Sequence, residues 1–221
     1  MTFVDTLAFQ LFTLAFVSAA LFYSGLIGYI TYLRYGPRQT LEHLRAQSVP
    51  LGGLGVVILA IGLWGEIVWP LPGSYNILFF DPYSLLGVVL IAYAVCLGFR
   101  WRTQYVGLLA AMVGLLSIYY GANAYNLGLT KEPFEMFLLY VAMGCMAIFT
   151  FPVTIWIDRY VMGPVISGAE TADSKPSAAM SAEVKILFAL FLMFLLFSLG
   201  SAIATLYVGG NALTSHLSYA P

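Results

Sequence analysis

Apolar residues in this chain come in long runs separated by short polar gaps, and six of the runs approach or reach the roughly 20 residues that a helix needs to cross about 30 Å of hydrocarbon. They lie near 7–33, 51–70, 84–99, 105–123, 134–157 and 185–208, the third reaching back through Ile77 toward Phe80. The gaps are not alike. Arg34, Arg38 and Arg45 follow the first run, Arg100 and Arg102 follow the third, and Arg159, Lys175 and Lys185 lie between the fifth and sixth, so that only Lys131 falls in the alternate gaps. Cytoplasmic loops retain Lys and Arg, and this alternation therefore predicts an all-α membrane protein, a bundle of six transmembrane helices with both the N- and C-termini extracytoplasmic. The whole chain, 1–221, reads as a single transmembrane domain at the cell membrane.

Two inner gaps have a character of their own. Residues 34–49 form a cytoplasmic interfacial connector, in which Pro37 suits a helix start, Arg38 and Glu42 stand four residues apart, and Leu41 and Leu44 share a face. It is expected as a short helix on the membrane, read first as a solvated connector and alternatively as a dock for a partner or for anionic lipid. Residues 160–184, with SGAETADSKPSAAMSAE at their centre, are rich in Ser, Ala and charge and read as a flexible cytoplasmic linker before the last helix.

An echo runs through the middle of the chain. Gly55, Gly62, Leu63, Tyr75-Asn76 and Pro82 recur about 50 residues later as Gly107, Gly114, Leu115, Tyr125-Asn126 and Pro133. The spacing predicts a parallel repeat of two helix hairpins, 51–99 and 105–157, each with a Tyr-Asn turn outside and a proline before its returning helix. Gly55 and Gly62, and likewise Gly107, Gly114 and Gly121, repeat every seventh residue. Such small stripes let helices approach closely in lipid, and Ser198, Ser201, Ala202 and Thr205 make a comparable face on the last helix.

Composition agrees with lipid as the main solvent: 61% of residues are hydrophobic and 9% charged, against about a quarter charged in soluble domains. The segment Met1–Thr6 has no Lys or Arg and carries Asp5, so the first run is expected to be a retained helix and not a cleaved signal peptide. Cys96 and Cys145 both lie in apolar runs, which supports neither a disulfide framework nor a zinc site. A net charge of −1 offers no basic surface for nucleic acid.

Glu66 is the residue most costly to place. Counted from Leu51 it lies about 22 Å along its helix, below the outer boundary, where a carboxylate is expected either to be protonated or to face a polar interior. Trp64, Trp69 and Pro70 surround it, so an interfacial position among aromatic residues is the alternative to a proton relay or cation site. Tyr75, Asn76, Asp81 and Tyr83 from the first outer hairpin, and Tyr119, Tyr120, Asn123, Tyr125, Asn126 and Glu135 from the second, gather at the same level. They define a candidate outer-side polar pocket with Glu66 at its floor, although turns and membrane interfaces also favour Asn, Asp and Tyr. With His43 and His216 the only histidines, no pair is available inside the membrane for haem, and no Walker loop, dinucleotide fingerprint, HExxH or GxSxG occurs. Met136, Met143 and Met146 read as core filling, and Asp158-Arg159 as a boundary pair. No catalytic residue, cofactor or metal is therefore assigned.

Around WGEIVWPLPGSYNILFFDPYSLLG and IYYGANAYNLGLTKEPFEMF the sequence resembles an uncharacterised family of archaeal multi-pass membrane proteins, a domain of unknown function familiar from thermoacidophilic Crenarchaeota. The likeness covers residues 1 to about 160, while the tail from Ser167 to Pro221 matches no recognised pattern. It implies an archaeal cell membrane and brings no catalytic residues. The expected function is a non-catalytic integral subunit of a larger membrane complex, such as a respiratory oxidoreductase or oxidase, partnered by the bilayer and by other membrane subunits. The alternative is a small proton- or cation-coupled transporter or channel using Glu66. A third class, a membrane enzyme acting on lipid or quinone, lacks a nucleophile or metal in this sequence.

Overall fold

A backbone in hydrocarbon must satisfy its hydrogen bonds internally, and the apolar runs accordingly form helices. The computed structural model describes residues 5–168 and 182–217 and contains no strand among them. The helices are α1 (Thr6–Tyr35), α2 (Pro37–Ala46), α3 (Ser48–Val68), α4 (Ser74–Phe99), α5 (Gln104–Asn126), α6 (Pro133–Trp156), α7 (Gly163–Ile166) and α8 (Ala182–Leu217), with a π-helical stretch, Ile157–Met162, continuing α6 into α7. Six of these helical stretches are long and apolar enough to cross a membrane. The centre of the expected linker, residues 169–181, lies outside the described residues.

Boundaries follow local chemistry. Asp5 caps α1 by accepting from the Ala8 N–H at 3.0 Å, and Gly36, at φ 85°, turns the chain sharply into α2, which starts at Pro37. The third crossing differs from expectation: α4 begins at Ser74, ten residues before the expected start at 84, and Pro82 lies inside it. An internal proline removes the N–H that would serve the carbonyl four residues earlier. Here the Tyr140 hydroxyl donates to that carbonyl, Leu78 O, at 2.6 Å, so the helix passes through the proline with its freed acceptor satisfied.

The long helices close into a ring. α1 packs on α8, α8 on α6, α6 on α5, α5 on α4, α4 on α3, and α3 returns to α1. The two hairpins are held alike, by the glycine stripes. A Cβ on Gly62 would stand 2.8 Å from Ser84 Cα, and one on Gly114 would stand 2.5 Å from the Gly144 carbonyl oxygen, so both helix pairs touch backbone to backbone. On α8 the Ser198, Ser201 and Thr205 face is fully buried, and Gly209 approaches Leu11 of α1.

The arginine-rich end of the ring is plugged. Leu41 and Leu44 of α2 are buried in a core with Leu97, Ile157, Met162, Phe191 and Phe194. The connector at 34–49 is thus a docked helix and not a solvated one, because its two leucines are drawn into the open end of the bundle. Asp158 is more than a boundary residue: its carboxylate accepts from Thr103 N and Thr103 Oγ1 at 2.8 Å and from Gln104 N at 2.9 Å, capping α5 from the neighbouring helix. Arg45 and Arg100 share Glu42, and Arg159 pairs with Glu183. At the opposite end the first and last described turns meet, with His216 Nδ1 2.8 Å from Asp5 Oδ2, beside the α3–α4 and α5–α6 turns.

Candidate functional site

At this second end α3 stops one turn after Glu66. Trp69 adopts a left-handed conformation, φ 54°, and its N–H returns to Gly65 O. Asn76 completes the seal: its Nδ2 donates to the same carbonyl at 3.0 Å and its Oδ1 accepts from Leu71 N at 3.2 Å. Gly65 has no alternative residue there, because a Cβ would fall 2.0 Å from the Phe80 ring. That contact seats Phe80 on α3 and brings the next residue, Asp81, to Glu66.

Asp81 of α4 is the carboxyl group that interacts with Glu66 of α3. From α5, the Tyr120 hydroxyl donates to Asp81 Oδ2 at 2.7 Å. The three side chains meet across the seam between the two hairpins, each supplied by a different helix. Glu66 Oε1 is buried and has no hydrogen-bond partner among the described residues. Two adjacent carboxylates repel, so a proton or a cation between them is what makes this contact favourable.

The other residues of the expected pocket are not brought to this point. Tyr119 lies with its ring tilted 58° to that of Tyr120, ring centres 6.5 Å apart, and is otherwise exposed. Asn76 is consumed by the α3 seal, and Tyr75 donates to Leu129 O, tying the α3–α4 and α5–α6 turns together. Asn123 bonds back to Tyr119 O at 2.8 Å within α5, while Asn126 and Glu135 are exposed at the rim. Tyr125 packs on Phe134 and Phe137, and Tyr83 points elsewhere, its hydroxyl 2.7 Å from Thr13 Oγ1 of α1.

Tyr140 and Gln10 were absent from the sequence-based pocket. Tyr140 would have been recognisable only from the orphaned carbonyl that an internal Pro82 creates, and Gln10 as the one amide side chain inside the first apolar run. No group of three or more His, Cys, Asp or Glu side chains placed to hold a metal occurs among the described residues.

The chain belongs to the family described as "Protein of unknown function (DUF981)", whose model matches residues 1–219. The family relationship therefore extends through the tail that carried no recognisable pattern. No curated protein and no solved structure matches the chain.

Proposed function

We propose that this chain is a multi-pass protein of an archaeal cell membrane, its arginine-rich end in the cytoplasm, that takes up and releases a proton or small cation at Glu66 and Asp81. One observation carries this reading: two carboxyl groups and a tyrosine hydroxyl from three helices converge where an unpaired carboxyl oxygen is already buried. Ionisable groups at such depth are expensive and mark ion or proton pathways. The family relationship is compatible with this role and adds no activity to it.

Infrared difference spectroscopy of the purified protein across a pH series provides the test. The reading predicts a protonated-carboxyl band that titrates, that is lost in Glu66→Gln and that shifts in Asp81→Asn. Liposomes carrying the wild-type protein should also dissipate an imposed proton or cation gradient faster than liposomes carrying Glu66→Gln. Absence of both effects in a folded protein would remove the proposal.

A second reading has its own support. Ile67 is 82% exposed and Trp64, Trp69 and Tyr119 are exposed beside it, so the carboxyl cluster opens toward the outside of the ring. A covering chain would complete it, which fits a non-catalytic subunit of a larger complex such as a respiratory oxidoreductase or oxidase. Gentle solubilisation should then recover stoichiometric partners whose removal exposes Glu66 to carbodiimide. Recovery of this chain by itself, with carbodiimide reactivity unchanged by the method of extraction, would count against it.

A further inference from the structure

The ring is plugged at its arginine-rich end but not in its other half. There a cavity, with about 80 Å³ open to the centres of water-sized molecules, lies between α1, α4, α5 and α6. Its walls include Leu14, Phe79, Leu86, Met136 and Met143. All three methionines read as core filling, Met136, Met143 and Met146, thus border open space, where their flexible side chains can adapt to an occupant.

Among these apolar walls stands Gln10. It is only 2% exposed, and its Nε2 is buried without a hydrogen-bond partner among the described residues. The hydroxyls around it are already engaged: Ser117 with Val113 O at 2.9 Å, Tyr140 with Leu78 O at 2.6 Å, and Tyr83 with Thr13 at 2.7 Å. A buried amide left unpaired is costly, so this one is suited to an incoming acceptor. A single carbonyl oxygen on an apolar molecule meets the requirement.

A second space adjoins the cavity. This wider vestibule of about 490 Å³, lined by Asp5, Tyr75, Thr130, Lys131 and His216, opens where the first and last described turns meet. It shares Leu7, Phe79 and Met136 with the cavity as common walls. The vestibule is lined largely by polar groups, and the cavity by Gln10 and the engaged hydroxyls of Tyr83, Ser117 and Tyr140 among otherwise apolar walls. Along α6 the walls run from Met136 to Ala147, about 16 Å at the helical rise, close to the depth of one leaflet.

We propose that this cavity binds a single-chain lipid-like molecule, its acyl or isoprenoid chain along the apolar walls, a carbonyl oxygen on the Gln10 amide and its polar end toward the vestibule. The site is separate from the carboxyl cluster and does not require that Glu66 and Asp81 exchange a charge.

The test uses the full-length protein in detergent and a palmitic acid bearing a diazirine on its chain, with cross-links mapped by mass spectrometry. Saturable labelling is expected on α6 between Met136 and Ala147. Gln10→Leu should weaken the half-saturating concentration about tenfold, the equivalent of one buried hydrogen bond. Met143→Trp, which fills the cavity, should abolish saturable labelling, and Leu14→Trp serves the same purpose if the first variant fails to fold. Competition by unlabelled palmitic acid would assign a fatty-acyl occupant, and competition by decylubiquinone a quinone-type one; either supports the site. Labelling that never saturates, that maps to outward-facing positions such as Phe16 and Tyr23, or that survives both kinds of variant would overturn it.

Discussion

Each end of the bundle holds a half-buried carboxyl group against a neighbouring hairpin or helix, and the two ends use it in opposite ways. At the arginine-rich end Asp158 accepts three hydrogen bonds and closes the start of α5. At the other end Asp81 accepts from Tyr120, while its neighbour Glu66 keeps a buried oxygen with no partner among the described residues. A carboxylate whose acceptor capacity is filled by the protein is a fastener. One whose capacity is left open has room for something the fold does not supply. Residue type is similar in the two cases, so the count of committed hydrogen bonds is what distinguishes the fastener from the carboxyl group proposed to bind a charge.

Four substitutions break or sharpen this contrast. Asp158→Ala should have the largest effect, lowering stability by about 2–3 kcal/mol through loss of a helix cap and charge-assisted bonds, read as thermal unfolding in detergent. Tyr140→Phe, which strips Leu78 O of the donor that replaces the missing proline N–H, should cost about 1–2 kcal/mol in the same assay. Tyr120→Phe should cost about 1 kcal/mol or less and should move the titration of the carboxyl band more than it moves unfolding. Glu66→Gln should change stability by no more than about 0.5 kcal/mol while abolishing charge exchange. A Glu66→Gln variant as unstable as Asp158→Ala would erase the distinction between the two ends.

The long helices were readable from the sequence because extended apolar runs bounded by polar gaps have few options other than a helix. Glycine spacing was equally legible, and the Gly55, Gly62, Gly107 and Gly114 stripes do mark the helix–helix contacts. What escaped was set by tertiary partners. Pro82 reads as a boundary in sequence and sits within a helix in the fold, because Tyr140, 58 residues later, compensates its missing donor. Leu41 and Leu44 look like the face of a surface helix until the plugged end of the ring is known. At the site, Glu66 stood out by its place within an apolar run, but nothing local distinguished Asp81 and Tyr120 from Asn76, Asn123, Asn126 and Glu135. Choosing among them required knowing that Gly65 seats Phe80 and that α5 lies across the seam.

The pairing of α1 with α8 has a consequence for biogenesis. The hairpins α3–α4 and α5–α6 find their partners within moments of synthesis, whereas α1 must wait for the last crossing before its main contact exists. A chain truncated before residue 182 should therefore keep both hairpin pairings and leave α1 without its most extensive contact.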